Sequence, residues 1–190
     1  TIHEVPAGEL RWMGARRTEN LAWSHTKVGT ATITTDYGAG HDGVVTSSLV
    51  SGIAAGNNGF LCRTANTDLG YFVGSVYLKG TPASIGQTVN VRLEAAVGYQ
   101  AIQNNILVTL TDEWQRVTRQ GTVSVAHTYI DLYAVHDGTT TATEFLLSGV
   151  QLENVTNQSI QTAADYIPTT TTAVTKWFDT TQNGDLLRPI

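Results

Sequence analysis

The sequence is poor in charged residues, in cysteine and in long apolar runs. The last two shortages each exclude a class of protein or site. Charged residues make up 14% of the 190 residues, below the roughly 25% of typical soluble domains. The single cysteine, Cys62, excludes an intrachain disulfide and a thiolate zinc cage, and it is predicted to be a small buried apolar residue. No apolar run approaches the roughly 20 residues that a bilayer-spanning helix needs, so a membrane is not an expected partner. The first residues also lack the basic and apolar pattern of a signal peptide.

Positive charge is scarce as well. The formal net charge is −5, and the densest basic cluster consists of Arg11, Arg16 and Arg17. Without a broad positive field, binding to a phosphate backbone loses its main electrostatic driving force. Nucleic acid is therefore not an expected partner.

Recognisable catalytic and metal-binding patterns are also missing from the sequence. The five histidines are scattered without metal-ligand spacing, and there is no Gly-x-Ser-x-Gly or phosphate-cradling glycine loop. A glycosidase would need two acids facing each other across a cleft. The acids considered for that role are interpreted as solvated turn residues: Asp112, Glu113, Glu144 and Glu153. The sequence therefore predicts a non-catalytic protein with no cofactor and no metal ion.

What the sequence does contain is two-residue alternation of apolar and polar side chains. Residues 87–95 place Val89, Val91 and Leu93 on one face, and Asn90 and Arg92 on the other, as in a half-buried strand. Further strands are predicted over 31–35, 44–50, 59–63, 71–79, 106–111, 114–118, 122–135 and 144–152. Many short strands separated by polar, glycine-containing turns favour an all-β fold, an antiparallel jelly-roll β-sandwich.

The two ends of the chain lack this alternation and are interpreted as extended arms. The predicted organisation is an N-terminal arm over 1–19, a sandwich over 20–172 and a C-terminal arm over 173–190. Large apolar side chains in an extended segment are typical of interface hot spots, and they could equally cover an edge of the chain's own sheet. The assembly-interface candidates are Trp12, Trp177, Phe178, Leu186, Leu187 and Ile190.

Aromatic residues on predicted strands are candidates for a second kind of contact. Sugar binding needs a flat aromatic face together with polar groups that pair with hydroxyls. Tyr129 and Tyr133 are predicted to share one face with Asp131 between them, and Tyr77 and Tyr99 are further glycan-binding candidates. The alternative is that these tyrosines pack beneath a loop with their hydroxyl groups satisfied internally.

Four segments of the chain resemble one family. They are GARRTENL at 14–21, YFVGSVYLKG at 71–80, WQRVT at 114–118, and GVQLE at 149–153 followed by DYIPT at 165–169. In this order they are similar to the strands of carbohydrate-binding-module-like jelly-roll domains in bacteriophage tail, fibre and other virion proteins, with Arg17 and Glu19 interposed in the first segment. The resemblance covers residues 14–172.

This resemblance implies a virion-associated module, in some cases one that binds cell-surface glycan. The function expected from the sequence is that of a non-catalytic structural subunit of a phage tail, fibre or capsid surface, located in the virion after synthesis in the host cytoplasm. Its expected partners are other virion proteins and further copies of itself, with a trimer favoured. The alternative is a glycan-binding module for host polysaccharide that acts through Tyr129 and Tyr133, and a carbohydrate-active enzyme is a remote third reading.

Overall fold

In the computed structural model, residues 15–21, 24–43, 46–96, 100–158, 160–166 and 174–179 are described. Over these ranges the chain forms twelve strands and no helix. It follows that no helix in the described ranges could cross a membrane. The many β-branched residues and the two-residue alternation of apolar side chains account for this all-β content.

The strands follow one another along the chain with short turns between most of them. Their bounds are β1 Ala15–Asn20, β2 Ser24–Val28, β3 Thr32–Ala39, β4 Thr46–Ser51, β5 Asn58–Ala65, β6 Gly70–Lys79, β7 Thr88–Ala96, β8 Gln100–Thr109, β9 Gln115–Val123, β10 Tyr129–His136, β11 Phe145–Asn154 and β12 Val174–Asp179.

Ten of these strands form two five-stranded antiparallel sheets that pack face to face. One sheet has the order β2-β5-β10-β7-β8 and the other has the order β3-β4-β11-β6-β9. Most successive strands from β2 to β11 lie in different sheets, so the chain passes repeatedly from one sheet to the other, as it does in Greek-key sandwiches. β10 lies at the centre of the first sheet and β11 at the centre of the second.

The two remaining described strands pair with each other. β1 and β12 form an antiparallel ladder that runs from Ala15 opposite Asp179 to Asn20 opposite Val174. At the end of β1, the Leu21 amide donates a hydrogen bond to the Leu152 carbonyl at 2.7 Å, which ties this end of the ladder to β11.

The apolar interior lies between the two sheets. Phe60, Leu93 and Leu132 enter it from one sheet, and Phe72 and Leu152 enter it from the other, each with at most 1% of its surface exposed. Gly74 on β6 shows how closely the sheets approach, because a Cβ atom there would lie 3.1 Å from Cδ1 atoms of both Leu93 and Leu132. The prediction of Cys62 as a small buried residue is confirmed, since it is fully buried in this core.

The structure corrects several predicted strand bounds. The predicted strand over 122–135 is divided between β9, which ends at Val123 in one sheet, and β10, which begins at Tyr129 in the other. His127 lies in the crossing segment and is buried, with its ring 6.5 Å from that of Phe72. β1, β2 and β12 were not predicted, because their alternation is weak and β12 falls in the segment assigned to an arm.

Candidate functional site

The outer surface of the sheet centred on β10 carries a cluster of aromatic and charged side chains. Ile130, Leu132 and Ala134 point into the core, so the alternate residues Tyr129 and Tyr133 point away from it. Asp131 lies between the two tyrosines on the same side, as the alternation predicts. We call this surface the β10 face: Tyr129, Asp131 and Tyr133 with Arg63 on β5 and Arg92 and Glu94 on β7.

Asp131 and Arg63 form a two-point ion pair at the centre of the β10 face. The two residues are directly opposite in the β5–β10 ladder, and Arg63 Nε and Nη2 donate to Asp131 Oδ1 and Oδ2 at 2.8 and 2.7 Å. The Asp131 side chain has no exposed surface, whereas 37% of the Arg63 side chain is exposed. The hydrogen bonds to Asp131 raise the pKa of Arg63. The carboxylate is therefore buried beneath a guanidinium group that faces solvent.

Tyr133 is tied to the same carboxylate. Its hydroxyl group donates to Asp131 Oδ2 at 3.1 Å, and the Arg92 guanidinium carbon lies 4.5 Å from the centre of its ring. Burial raises the pKa of Tyr133 to about 12, and the negative charges of Asp131 and Glu94 act in the same direction. Tyr133 is thus held neutral, with its ring beneath a cation.

Tyr129 is arranged in the same way. The guanidinium carbon of Arg63 lies 4.5 Å from the centre of the Tyr129 ring. Each of the two tyrosines on this face is therefore paired with one arginine, a geometry that favours cation–π attraction.

Arg92 and Glu94 form a second ion pair beside the first. Arg92 Nε lies 2.9 Å from Glu94 Oε1, and Arg92 Nη2 donates to Asn57 Oδ1 at 2.9 Å. Burial raises the pKa of Glu94; the charge of Arg92 opposes this rise and the charge of Asp131 adds to it. Arg92 therefore joins the strand β7 to the turn that precedes β5.

Amide groups extend the β10 face toward the loop after β10. The Asn90 amide, 1% exposed, donates to Asp137 Oδ2, and Asn105 Nδ2 donates to the same oxygen at 3.4 Å. Burial acts to raise the pKa of Asp137, but hydrogen bonds from Thr139 and Asn90 outweigh it and lower the pKa. This end of the face therefore presents the Asp137 carboxylate and the exposed Asn105 amide, groups that can pair with hydroxyls.

The geometry of this face suits recognition better than covalent chemistry. Both oxygens of Asp131 accept hydrogen bonds from Arg63, and one of them also accepts from Tyr133, so this carboxylate has no exposed lone pair with which to attack a substrate. In the part of the chain that the structure describes, no three His, Cys, Asp or Glu side chains lie close enough to hold a metal ion together.

Of the other two glycan-binding candidates, Tyr77 does not join this face. Tyr77 lies on β6 in the opposite sheet, where the His41 ring stacks on it at 3.7 Å between ring centres. Tyr99 falls outside the described residues. The structure thus brings Tyr129, Asp131 and Tyr133 together and separates Tyr77 from them.

Most of the assembly-interface candidates cannot be placed. Trp12, Leu186, Leu187 and Ile190 lie outside the described residues. Trp177 and Phe178 fall on β12, opposite Arg17 and Arg16 of β1. The interface assignment and the arm boundaries remain predictions.

The sequence reasoning missed the arginines of the β10 face. The alternation places Arg92 on the polar side of its strand, which suggests exposure, but its side chain is only 16% exposed. Arg63 carried no signal because its segment is apolar. A possible signal was the acid Asp131 between two tyrosines on a central strand, because a buried carboxylate needs a cation nearby.

Part of the outer surface of the opposite sheet is covered by the chain itself. Gln151 Nε2 donates to Glu153 Oε1 at 2.8 Å, and the Ala164 amide donates to the same oxygen at 2.9 Å. Arg116 Nη2 donates to the Ala164 carbonyl and, at 3.1 Å, to Ser75 Oγ. Residues 160–166 are therefore held across this surface. Glu153, considered above as a turn acid, is instead a buried strand residue that is 1% exposed.

Solved structures with a similar fold include carbohydrate-binding modules. The xylan-binding CBM22-1 domain of Paenibacillus barcinonensis Xyn10C has a TM-score of 0.51 at 17% identity, over 77% of this chain and 94% of that one. The C-terminal family 22 carbohydrate-binding module of Clostridium thermocellum Xyn10B has a TM-score of 0.50 at 18% identity, over 80% of this chain and 100% of that one. No protein-family model matches the sequence, and no curated protein is significantly similar to it.

A longer structure shows the same fold within a multi-module protein. The CBM22-1–GH10 modules of Clostridium thermocellum Xyn10B, complexed with xylohexaose, have a TM-score of 0.53 at 14% identity over 72% of this chain. This chain spans 28% of the length of that protein. The chain therefore has the jelly-roll fold of carbohydrate-binding modules, and the predicted fold class is confirmed. None of these three structures is described as part of a virus.

Proposed function

We propose that this chain is a glycan-binding module and that its ligand lies on the β10 face. The observation that supports this most directly is the row of Tyr129, Asp131 and Tyr133 on a central strand, with Arg63 and Arg92 beside it. Buried ion pairs hold both arginines in place, so the surface is organised before a ligand arrives, which lowers the entropic cost of binding. The opposite sheet offers less open surface, because residues 160–166 cover part of it.

The proposal is tested by applying the full 190-residue chain to an array of plant cell-wall and bacterial surface polysaccharides. We expect binding to at least one glycan class, and a loss of about tenfold or more in Tyr129→Ala, because interface aromatics commonly contribute at least about 1–2 kcal/mol. Tyr129 also supports the Arg63 guanidinium.

The matched control is Tyr37→Ala on edge strand β3 of the other sheet, where the tyrosine is 55% exposed. It should leave the affinity unchanged. Binding that survives Tyr129→Ala but is lost in Tyr37→Ala would move the site to another surface, and binding to no glycan would contradict the proposal.

A role as a phage virion subunit is a second proposal, and it is compatible with the first. Its support is the resemblance of the four strand segments to virion jelly-roll domains in the same order along the chain. In this proposal the chain assembles as a homo-oligomer, with a trimer favoured, and contacts other virion proteins. An electron-microscope image of the purified chain, followed by antibody labelling of phage particles, tests it; a monomer that labels no particle would contradict it.

A further inference from the structure

We propose that the β10 face selects acidic glycans, whose sugar units carry carboxylate or sulfate groups, over neutral ones. This inference rests on the proposed glycan-binding function and specifies the chemistry of its ligand. Three features of the face support it: the depth of its charges, the covering of its aromatic rings, and the donors that its arginines keep free.

The first feature is the order of the charges from the core outward. The Asp131 side chain is 0% exposed and that of its partner Arg63 is 37% exposed. The Glu94 side chain is 8% exposed and that of its partner Arg92 is 16% exposed. In both pairs the negative charge lies deeper than the positive one. A ligand that approaches the centre of the face, away from Asp137 at its end, therefore meets guanidinium groups first, although the whole chain carries a net charge of −5.

The second feature is that one face of each aromatic ring is already covered. The guanidinium carbons of Arg63 and Arg92 lie 4.5 Å from the ring centres of Tyr129 and Tyr133. A neutral pyranose that stacks on an aromatic ring needs one face of that ring to be free. On the side of each arginine that place is occupied, so stacking of a neutral sugar is disfavoured there and the cations become the contact groups.

The third feature is the number of donors left on each arginine. A guanidinium group has five N–H donors. Arg63 directs Nε and one hydrogen of Nη2 at Asp131. Arg92 directs Nη2 at Asn57, and its Nε lies 2.9 Å from Glu94 Oε1. The Nη1 group of each arginine remains for a ligand, and guanidinium donors pair most strongly with carboxylate and other oxyanions.

The two arginines lie on opposite sides of β10. Arg63 is opposite Asp131 on one side, and Arg92 is opposite Tyr133 on the other side. Two strand spacings and a two-residue offset place their Cα atoms about 12 Å apart. An oligosaccharide that lies across β10 with acidic groups on separate units can therefore contact both cations.

The test compares matched glycans with the full chain by titration calorimetry. The probes are an oligogalacturonate hexamer and its carboxyl-reduced form, and a carrageenan hexamer and its desulfated form. We expect at least one acidic member to bind about tenfold or more tighter than its neutral partner at low salt, and the difference to shrink with added NaCl because exposed charges are screened. The two pairs distinguish carboxylate from sulfate as the preferred group.

Variants separate the arginines from general charge effects. Arg92→Gln should weaken acidic binding about tenfold and neutral binding less, so that the ratio of the two affinities falls. Arg63→Lys, which keeps a cation for Asp131 but loses the two-point guanidinium geometry, should also lower this ratio. The control Lys79→Gln removes one positive charge from β6 in the opposite sheet and should have no effect. Circular dichroism melting of each variant confirms that it is folded.

The possible outcomes distinguish this inference from the proposed function. Equal binding of an acidic glycan and its neutral partner would overturn the inference and leave the glycan-binding proposal intact. Equal weakening by Lys79→Gln and Arg92→Gln would also overturn it, since charge alone would then account for the binding. If no glycan of either kind binds, here or on the array, both proposals are wrong.

Discussion

Asp131 organises its surroundings although it has no exposed surface. Its carboxylate receives two hydrogen bonds from Arg63 and one from Tyr133, so the buried charge is compensated on both oxygens. Removing one partner of such a pair is costly because it leaves the other charge buried alone. The part that Asp131 has in the proposed site is therefore to position Arg63 and Tyr133 rather than to contact a ligand.

At the scale of single residues, we expect Tyr133 to lose its proton at a higher pH than an ordinary tyrosine. Its pKa is raised to about 12, while an unfolded tyrosine ionises at about 10. The neutral phenol therefore stabilises the fold fully below pH 10, and this contribution is lost as the pH rises from 10 to 12. Tyr133→Phe, which keeps the ring beneath Arg92, should remove one late step in the phenolate absorbance and flatten the loss of stability in that window.

Two other tyrosines, Tyr166 and Tyr37, provide the comparisons for this absorbance titration. Burial raises the pKa of Tyr166 too, so some late absorbance should remain in the variant. Tyr37→Phe, at a position 55% exposed, serves as the control and should leave the late step in place. A Tyr133→Phe titration that superimposes on that of the unchanged chain would contradict the assignment.

At the scale of single elements, β11 depends on an irregularity at its centre. Its register with β6 shifts between Ser148 and Gln151, and Gly149 in this bulge has a φ of 56°, in the left-handed region that favours glycine. A Cβ atom there would lie 2.6 Å from Cε1 of His41, whose ring stacks on Tyr77. The absence of a side chain at Gly149 thus leaves space for the His41 ring to stack on Tyr77.

Gly149→Ala should therefore destabilise the protein by more than backbone strain alone. A residue with a Cβ atom in the left-handed region costs roughly 1–2 kcal/mol, and the displacement of His41 adds to this cost. The matched control is Gly52→Ala, since Gly52 has a φ of 66° and no atom within 4 Å of its Cβ position. Chemical denaturation should show a larger loss for Gly149→Ala; equal losses would mean that His41 adjusts freely.

At the scale of the whole molecule, one interior is shared by both sheets, and Cys62 reports on its integrity. Cys62 lies opposite Leu132 in the β5–β10 ladder and is fully buried. Burial raises the pKa of its thiol far above the ordinary value, which suppresses the reactive thiolate. The thiol can react only when the sandwich opens.

We expect the folded chain to resist thiol labelling and the guanidinium-unfolded chain to react rapidly. Leu132→Ala, which removes a core side chain 1% exposed and should cost about 2–5 kcal/mol, should speed labelling of the folded chain. Leu69→Ala, at a position 56% exposed, should not. Rapid labelling of the unchanged chain without denaturant would show that the core is more accessible than its packing indicates.

The sequence by itself determined the all-β class, most of the strands and the common face of Tyr129, Asp131 and Tyr133. These features depend on two-residue alternation, which is a local property of the backbone that is visible along the chain. The same alternation misled the interpretation of residues 122–135, because β-branched residues such as Val125 and Thr128 continue through the segment where the chain crosses from one sheet to the other.

The tertiary structure alone decided which strands became neighbours, and with them the composition of the candidate site. Arg63, Asp131 and Arg92 are distant in the sequence and meet because β5 and β7 both pair with β10. Strand order depends on how the apolar faces of distant strands pack against one another across the whole sandwich. No local sequence pattern encodes this packing. For the same reason only the fold could show that the carboxylates lie beneath the guanidinium groups, the arrangement that underlies the proposed preference for acidic glycans.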